Sequence, residues 1–413
     1  MIDSTKSVTI IGAGPSGLFS SFLLLQAGFS VALYDQMSGV GKKFLVAGNG
    51  GLNLTHSEEL DTFSEKYGNN KDFFRSLLTE FSPTDLRKWC QLLGVETFVG
   101  SSGRVFPKEL KAAQMLRSWL NILKENKNFS LHLKHKLVSI EKNGNMTFSH
   151  INKDQEEREI NLQVDNIILC LGGASWSKTG SDGLWTKSLA NLDMTLTDFS
   201  SMNCGYNISW SDGFKEGFET DYIKNISLSQ GKNKVHGEVM LTNYGIEGGA
   251  VYALSAAINK QISSRGESKI FLDLKPDLSL ENIKAKLKKP RNKNSMSNHL
   301  RKVLGIKGVS YKLLKEQTSK SEFENVEVLA GKIKKLSITL SSARPIDEAI
   351  STSGGVKFSN LDQDLLLKDC ESSIYLMGEM LDWEAPTGGY LLQGCFSMAF
   401  HVVNCLIRAH SIS

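Results

Sequence analysis

Residues 8–17, VTIIGAGPSG, decide the fold of this chain. The apolar run stops at Gly12, and an apolar spacing typical of a helix follows as far as Leu25. A second apolar run, Val31 to Tyr34, comes next. This order predicts a strand, a glycine turn, a helix and a second strand, which together form a βαβ unit. A GxGxxG pattern in this context predicts dinucleotide binding, with a glycine turn of an unrelated α/β protein as the alternative.

Each residue of the glycine turn has a predicted task. Gly12 permits the tight turn, Gly14 lets a pyrophosphate approach the backbone, and Gly17 lets the helix pack closely on the strand. Pro15 and Ser16 lie in the first turn of the helix, where free N–H groups and the positive end of the dipole favour phosphate oxygens. We therefore expect all five residues to bind a dinucleotide, which the motifs below indicate is FAD.

Further contacts to the cofactor are predicted directly after this unit. Asp35 ends the second strand, where its carboxylate can accept hydrogen bonds from the adenosine ribose and disfavours a 2′-phosphate. Residues 39–55, GVGKKFLVAGNGGLNLT, are rich in glycine and are expected to wrap the cofactor. We predict that Lys42 or Lys43 meets the pyrophosphate and that Asn53 donates to the flavin or its substrate. A plain surface role is the alternative for each lysine.

The composition is that of an ordinary globular enzyme. The chain has 413 residues, of which 40% are hydrophobic and 22% are charged. These values exclude a disordered or fibrous chain, and the length predicts about two or three domains. The formal net charge of +4 is too small to require a nucleic-acid partner.

Neither a metal site nor a membrane span is predicted. The six cysteines contain no CxxC pair and are expected to be reduced, while the eight histidines form no constellation. The amino terminus lacks a signal-peptide pattern, which predicts a cytoplasmic protein. The apolar residues 388–407 are interrupted by Gln393, His401 and Asn404, so that a buried helix is expected there.

The nucleotide-binding domain is expected to be built from both ends of the chain. Residues 1–197 and 343–413 are predicted to form this α/β domain, with a helical excursion at 57–130. Residues 198–342 are richer in Lys, Asn and Ser and carry no second glycine fingerprint. They are expected to form an inserted substrate domain with β-rich and helical parts. Leu131 to Ile140 alternates as one strand.

A second glycine-rich block, near the carboxyl terminus, predicts flavin contacts. Gly378 and Glu379 follow a predicted buried strand, so that the carboxylate can bind a ribityl hydroxyl. A helix is then expected to begin with free N–H groups directed at the flavin pyrimidine, where they stabilise the charge of reduced flavin. A purely structural helix start is the alternative. The residues of this helix start are Thr387, Gly388, Gly389, Tyr390 and Leu391.

Together, these motifs make the chain resemble the BaiN-like or aminoacetone-oxidase-like NAD(P)/FAD-dependent oxidoreductases. The matching blocks are IIGAGPSG, GKKFLVAGNGGLNLTH, LCLGGASWSKTGSDG, MLTNYGIEGGAVYALS, TSGGV and MGEMLDWEAPTGGYLLQGCFS. The resemblance implies an α/β fold with a Rossmann-type FAD-binding domain of the two-dinucleotide-binding-domain type, an inserted β-rich domain and a small helical part. It also implies FAD as cofactor, NAD(P)H as a transient electron donor, a main-chain contact from Val138 to adenine, and an adenosine side closed by Gly172 and Gly173.

The residue that handles protons is left open by the sequence. Many members of the family carry an Arg-Cys pair where this chain has Gly51-Leu52, so a thiol donor is absent there. Lys178 and Tyr244 are the predicted catalytic residues, with a surface position and core packing as their alternatives. Further residues of the matched blocks are weighed against capping or surface roles, namely Asp182, Glu247 and Glu384.

The expected function is FAD-dependent oxidoreduction, in which NAD(P)H reduces an unsaturated organic substrate through the flavin. Oxidation of a small amine, reduction of uracil to dihydrouridine in ribosomal RNA, and a flavin redox sensor without turnover are the alternatives. Between Lys284 and Lys315 the chain has eleven Lys or Arg residues and no Asp or Glu. This run is either a solvated helical face or a docking surface for RNA. A small-molecule partner is expected, a membrane is not, and the oligomeric state is left open.

Overall fold

The structure divides into two compact units. Unit 1 consists of the residues up to Ser200 and those from Ile350 onward, and unit 2 consists of Ser201–Ala349. The inserted domain expected from composition, residues 198–342, begins three residues before unit 2 and ends seven residues before its end. The computed structural model describes residues 6–48, 50–109, 111–152, 156–216 and 218–412.

Strands and helices are mixed throughout the described residues, which gives the predicted α/β fold. The strands are β1 (Ser7–Ile11), β2 (Ser30–Asp35), β3 (Thr55–His56), β4 (Thr97–Val99), β5 (Arg104–Pro107), β6 (Phe129–Leu133), β7 (His135–Ile140), β8 (Asn145–Ile151), β9 (Glu157–Gln163), β10 (Asn166–Leu169), β11 (Leu196–Met202), β12 (Tyr206–Asn207), β13 (Asp221–Gln230), β14 (Asn233–Leu241), β15 (Gly245–Glu247), β16 (Ser268–Asp273), β17 (Leu336–Leu340), β18 (Ser342–Ala343), β19 (Ser351–Val356) and β20 (Ser373–Leu376). The α-helices are α1 (Pro15–Gln26), α2 (Lys42–Ala47), α3 (Leu60–Ser64), α4 (Lys71–Glu80), α5 (Pro83–Leu92), α6 (Ala112–Glu125), α7 (Trp185–Ser188), α8 (Asp212–Lys215), α9 (Gly249–Tyr252), α10 (Ser255–Arg265), α11 (Leu280–Leu287), α12 (Met296–Leu304), α13 (Gly308–Glu316), α14 (Lys320–Glu324), α15 (Val326–Lys334) and α16 (Tyr390–Ile412).

A parallel sheet in the order β20-β10-β1-β2-β6 forms the centre of unit 1. Its strands β1 and β10 are almost entirely buried, as is usual for a parallel sheet covered on both faces. Because parallel strands end at the same edge, the segments that follow β1, β2, β10 and β20 lie side by side there. In open α/β sheets this carboxyl edge is where ligands bind.

Residues 131–140 form parts of two strands, and the prediction of a single strand was wrong. Lys134 has a φ of 58°, in the left-handed region, and turns the chain between β6 and β7. β6 then extends the parallel sheet beside β2, while β7 pairs antiparallel with β8. Alternating apolar residues continue across the turn, and a left-handed lysine gives no sequence signal.

Helix α16 is the central helix of the unit 1 core. The Phe396 ring packs against the rings of Phe19, Trp89 and Trp119, with centroids 5.1, 5.4 and 6.0 Å away. Among the described residues, Tyr390–Ser411 is the one helix long and apolar enough to cross a bilayer, and 67% of its apolar window is buried inside the protein. We therefore interpret α16 as the buried helix that the sequence predicts.

Unit 2 combines a sheet with a layer of short helices. Its strands lie in the order β17-β16-β13-β14-β15-β12-β18 and are paired antiparallel. Buried apolar residues of α11 to α13 and α15 pack in the same core as the strands. The basic run found in the sequence covers α11, α12, α13 and the segments that join them.

We expect Phe396→Ala to lower the free energy of unfolding by about 3–5 kcal/mol, because it deletes a fully buried aromatic ring. Leu92 is 72% exposed, so the control Leu92→Ala should change the free energy by less than about 0.5 kcal/mol. Chemical denaturation followed by circular dichroism measures both values. Similar losses in the two variants would contradict the central position of Phe396.

Candidate cofactor and active site

The glycine turn brings three backbone segments into contact at the carboxyl edge of the sheet. Gly12 has a φ of 107°, and a Cβ atom there would lie 2.2 Å from the carbonyl oxygen of Cys170. A Cβ atom on Gly17 would lie 2.0 Å from the carbonyl oxygen of Gly12. Gly14 differs, since a Cβ atom there would meet no described heavy atom within 4 Å beyond its chain neighbours. The protein therefore keeps an open space beside Gly14.

The first turn of α1 faces this open space. The helix begins at Pro15 after an extended Gly14, and within the described part of the chain no side chain caps it. The Ser16 hydroxyl donates to the carbonyl oxygen of Cys395 at 3.5 Å, which leaves the backbone N–H groups of the turn for another acceptor. A helix start of this kind suits a phosphate group.

Asp35 links the turn to the end of β2. Its Oδ2 accepts a hydrogen bond from the Ala13 N–H at 2.7 Å, and its Oδ1 accepts one from the Met37 N–H at 2.7 Å. Burial raises the pKa of Asp35, while the two amides and nearby Lys42 oppose this rise. Each carboxylate oxygen keeps a second acceptor site, so the predicted bond to a ribose hydroxyl stays open.

A cleft follows this edge from Asp35 to the segment after β20. A second lobe continues past Asp35 to Lys136 and Leu137. Predicted cofactor residues from both ends of the chain line the cleft, namely Gly12, Gly14, Pro15, Ser16, Asp35, Lys42, Lys43, Gly172, Gly378 and Glu379. The structure therefore brings together in unit 1 the two glycine blocks that the sequence singled out.

Lys43 and Glu379 form an ion pair inside the cleft. The Lys43 Nζ lies 2.7 Å from Glu379 Oε2 and donates to the Ser175 hydroxyl at 2.8 Å. The Glu379 side chain is only 9% exposed, and its Oε1 also accepts from the Thr352 N–H at 3.2 Å. Lys43 thus contacts a carboxylate, a partner that the sequence analysis did not consider.

Of the two adjacent lysines, Lys42 and not Lys43 keeps a cation that can contact a ligand in the cleft. Both lysines lie in the first turn of α2, a short helix that the sequence analysis treated only as a glycine-rich wrap. The helix follows Gly41, which has a φ of 60° and packs against Leu116. The Lys42 Nζ contacts only a neutral group at hydrogen-bond distance in the described structure, the Ser38 hydroxyl at 3.4 Å.

The start of α16 is packed against the backbone of β3. Gly389 has a φ of 91°, and a Cβ atom there would lie 2.5 Å from the Cα of Thr55. The Tyr390 side chain points into the protein, where its hydroxyl donates to Glu58 Oε1 at 2.7 Å and its ring stacks on His56. The backbone N–H groups of Tyr390 and Leu391, and not the Tyr390 ring, are therefore the groups available to a cofactor.

Five predicted cofactor residues remain to be located. The Asn53 Oδ1 is buried and has no hydrogen-bond partner among the described residues, which is unusual for a buried polar atom. This oxygen can accept a hydrogen bond from a ligand, whereas the sequence analysis expected Asn53 to donate one. Val138 is skipped in the pairing of β7 with β8, so its main chain lies in a bulge. Gly172 lines the cleft, and a Cβ atom on the adjoining Gly173 would lie 3.0 Å from the carboxyl carbon of Glu379. Thr387 is half-buried in the segment before α16.

The predicted proton-handling residues of unit 1 differ in exposure. Lys178 is exposed in a single 3-10 turn. Asp182 lines the second lobe and accepts from the Leu184 N–H at 3.0 Å, directly before α7, without capping that helix. Glu384 is half-buried, and burial followed by the charge of Asp382 raises its pKa. Glu384 is therefore more enclosed than a surface carboxylate.

Tyr244 belongs to a polar group within unit 2. Its hydroxyl donates to Glu247 Oε2 at 2.7 Å, and the Arg344 guanidinium lies 4.2 Å from its ring centroid. Arg344 in turn makes two hydrogen bonds of 2.7 Å to the Glu348 carboxylate. Burial, followed by the contact with Glu247, raises the pKa of Tyr244, so the hydroxyl keeps its proton at neutral pH.

The sequence analysis missed several residues of the cleft. Ser175 holds Lys43, and the thiols of Cys170 and Cys395 line the cleft wall. Burial raises the pKa of Cys395 to about 12, so its thiol is neutral. Cys170 directly precedes the Leu171-Gly172-Gly173 block, which was a usable signal, whereas the position of Ser175 depends on tertiary contacts. All six cysteines are free thiols, as expected.

The histidines also group more closely than the sequence indicated. His135 lines the second lobe of the cleft, its ring stacks on His150 at 4.1 Å, and His132 stacks on Tyr34 at 4.4 Å. The expectation of no histidine constellation was therefore wrong for these rings. The pairing of β7 with β8 creates the contact between His135 and His150, which are distant in the sequence.

A family model described as the HI0933-like protein Rossmann domain matches residues 6–404. This chain belongs to the HI0933-like family. A 3-dehydro-bile acid delta(4,6)-reductase of Clostridium scindens is 24% identical over 409 residues, covering 95% of this chain and 97% of the relative. A ribosomal RNA dihydrouridine synthase of Escherichia coli is 24% identical over 425 residues, covering 97% of this chain and 98% of the relative.

Solved structures show the same fold at low identity. A 3-ketosteroid delta1-dehydrogenase of Sterolibacterium denitrificans superposes with a TM-score of 0.53 and 11% identity, covering 98% of this chain and 100% of that one. A flavocytochrome c3 fumarate reductase gives a TM-score of 0.52 at 14% identity, covering 100% of this chain and 79% of that one.

The family and fold confirm the predicted Rossmann-type FAD-binding domain, and the protein is a FAD-dependent oxidoreductase. The described residues fit this cofactor. The space that a Cβ atom on Gly14 would occupy lies at a helix start, and the cleft reaches from Asp35 to Glu379. Gly14 and the first-turn N–H groups of α1 would hold the pyrophosphate, Asp35 the adenosine ribose, and the start of α16 the flavin ring.

We expect Gly14→Val to yield a folded but colourless protein. The new side chain enters the space beside α1 that the pyrophosphate would need, and its Cβ atom makes no steric clash with the protein. Gly331→Val is a matched control, since a Cβ atom there also meets no described heavy atom within 4 Å and the residue lies in α15 of unit 2. The flavin-to-protein ratio in the visible spectrum and the circular dichroism spectrum measure binding and folding. A yellow Gly14→Val protein with one FAD per chain would refute this placement of the pyrophosphate.

Proposed function

We propose that this enzyme reduces a carbon–carbon double bond conjugated to a carbonyl group, with NAD(P)H as the source of electrons. The observation that carries the proposal is the full-length match to two relatives whose names describe reduction. The C. scindens relative is named as a 3-dehydro-bile acid delta(4,6)-reductase, and the E. coli relative is named as a ribosomal RNA dihydrouridine synthase. Dihydrouridine is uridine with its ring double bond reduced, so we take reduction of a conjugated double bond as the shared chemistry.

The FAD cofactor supplies the hydride chemistry, and the protein supplies position and charge. The N–H groups at the start of α16 are proposed to stabilise the negative charge of reduced flavin, helped by the helix dipole. The close approach of Gly389 to Thr55 fixes where this helix begins. Lys43 holds the Glu379 carboxylate in the cleft through the ion pair with Oε2. The second carboxylate oxygen, Oε1, already accepts one hydrogen bond from the Thr352 N–H.

Reduction of a double bond needs a proton as well as a hydride. Glu384 is suited to hold one, because its raised pKa keeps the carboxyl group protonated to a higher pH than an exposed glutamate. Tyr244 keeps its hydroxyl proton for the same physical reason, and its bond to Glu247 orients the group. The catalytic roles of Lys178 and Tyr244 stay predictions.

The sequence contains one glycine fingerprint, so we propose that NAD(P)H reaches the flavin transiently and leaves before the substrate binds. Free thiols in all six cysteines fit a reducing compartment, and we propose the cytoplasm as the location. A small molecule is the proposed substrate, since the C. scindens relative is named for a bile acid.

We expect anaerobic NADPH or NADH to bleach the bound flavin, and a conjugated enone to restore its colour. Stopped-flow absorbance separates the two half-reactions. Glu384→Gln should slow only the reoxidation step, by about 10²–10⁴-fold, because it removes a proton donor and leaves hydride transfer to the flavin unchanged. In the unmodified enzyme the reoxidation rate should fall as pH rises through the raised pKa of Glu384.

Three outcomes would contradict this reaction. Reduction of the flavin by small amines with reoxidation only by oxygen would indicate an amine oxidase. A flavin that neither nicotinamide reduces nor any acceptor reoxidises would indicate a redox sensor. Equal slowing of both half-reactions in Glu384→Gln would indicate a structural role for Glu384.

A uracil base in ribosomal RNA is the second candidate substrate, and the surface of unit 2 favours it. In the segment between α11 and α12, Lys289, Arg291 and Lys293 are all exposed. Part of the basic run is neutralised, because Lys284 and Lys288 both lie close to the Glu327 carboxylate. The cations between the helices are therefore the part of the run that an RNA backbone would contact.

We expect the double substitution Lys289→Glu and Lys293→Glu to weaken RNA binding and to reduce the slope of log affinity against log salt by about 0.7–0.9 for each lost phosphate contact. Lys232→Glu with Lys234→Glu is a matched control, since both lysines are exposed at the hairpin of β13 and β14 in the same unit. Fluorescence anisotropy with a ribosomal RNA fragment measures both. Equal effects of the two pairs, or undiminished dihydrouridine in ribosomal RNA from a deletion strain, would refute the RNA substrate.

A further inference from the structure

Asp364, His401 and Cys405 form a cluster in unit 1 that the cofactor cleft does not use. His401 and Cys405 lie four residues apart on α16, a spacing that puts both side chains on the same face of a helix. Asp364 comes from the segment between β19 and β20. Among the described residues this is the group of ligand-type side chains whose donor atoms all lie within 4.8 Å of one another.

The distances suit a tetrahedral metal ion. The His401 Nε2 and the Cys405 Sγ are 3.7 Å apart. A zinc ion with bonds of about 2.0 Å to nitrogen and about 2.3 Å to sulfur at a tetrahedral angle places those two atoms about 3.5 Å apart. The main-chain oxygen of Gln363 lies 3.1 Å from the same Nε2. It is the fourth possible ligand atom, beside those of Asp364, His401 and Cys405.

Glu80 orients the histidine for this task. Its two carboxylate oxygens lie 2.9 and 3.0 Å from the His401 Nδ1, so the Nδ1–H donates to a carboxylate. The other ring nitrogen, Nε2, faces the Gln363 carbonyl oxygen and the Cys405 Sγ, which is the side on which a metal ion would bind. A carboxylate behind a ligating histidine is the usual outer partner in protein metal sites.

The groups around the cluster carry mixed charges. The Arg408 Nη2 lies 2.9 Å from the Cys405 Sγ, and the carboxylates of Asp364 and Glu80 flank the cysteine and the histidine. Burial, followed by the contact with Asp364, raises the pKa of the Cys405 thiol, so metal binding must displace its proton.

We propose that Asp364, His401, Cys405 and the Gln363 carbonyl bind a Zn²⁺ ion that joins the segment before β20 to α16. Zinc is the divalent metal suited to a mixed set of sulfur, nitrogen and oxygen ligands in a tetrahedral arrangement. Binding deprotonates the Cys405 thiol, and the proton is released to solvent. Glu80 is a positioning residue, because it contacts the metal only through His401.

The test uses the purified full-length flavoprotein titrated with Co²⁺, a spectroscopic substitute for Zn²⁺. We expect binding of one ion per chain with a sulfur-to-cobalt charge-transfer band, and displacement of that ion by Zn²⁺. Cys405→Ser should lose the band. Glu80→Gln should keep the band but bind about 10–100-fold more weakly, the usual effect of an outer carboxylate. Cys370→Ser, at a half-buried cysteine outside the cluster, should change neither quantity.

Absence of the sulfur band in the unmodified protein, or its persistence in Cys405→Ser, would overturn the proposal. Cobalt held by the rings of His132, His135 and His150 gives no sulfur band and would count against it. Should Cys405→Ser not fold, iodoacetamide labelling of the unmodified protein replaces it, and Zn²⁺ is expected to slow alkylation of Cys405 at least about tenfold without protecting Cys370. Equal labelling of Cys405 with and without Zn²⁺ would also overturn the proposal.

Discussion

The close backbone approach at the glycine turn is the constraint on which the rest of unit 1 depends. Gly17 touches the carbonyl of Gly12, and Gly12 touches the carbonyl of Cys170, so α1, β1 and β10 meet without intervening side chains. Any Cβ atom at Gly12 or Gly17 would separate these elements. Because α16 packs on α1, the separation would spread to the helix that completes the flavin end of the cleft.

The same constraint explains which parts of the fold could be predicted from the sequence. A local sequence pattern predicts the glycine turn together with β1, α1 and β2. The pattern is local because its glycines permit close backbone contacts within the unit itself and with one neighbouring strand, β10. The start of α16 was predictable for a similar reason, since Gly388 and Gly389 both require positive φ values. The left-handed Lys134 carries no such signal, and its turn moves β6 into the main sheet. Sequence periodicity cannot detect a change of sheet when the alternation continues across it.

Side-chain partners were less predictable than backbone positions. Lys43 and Glu379 were each expected to contact the cofactor. Both line the cleft, and their contact with each other was hidden because they lie 336 positions apart in the sequence. A buried carboxylate without a partner is costly, so an ion pair is the expected arrangement once both groups share a site. No local pattern indicated that Glu58 and His56 would hold the Tyr390 side chain in the core. Contacts between distant segments decide such cases.

The ion pair also changes how charge is distributed along the cleft. A pyrophosphate brings negative charge to the first turn of α1, and the carboxylate of Glu379 in the same cleft would repel it if left unpaired. Lys43 cancels that carboxylate, so Lys43 adds little net attraction for phosphate. The favourable field then comes from the α1 amides and from Lys42, whose hydrogen-bond contact is a neutral hydroxyl. The two adjacent lysines therefore differ in role. Lys43 neutralises the buried Glu379 carboxylate, whereas Lys42 would supply a cation to the phosphate groups expected beside α1.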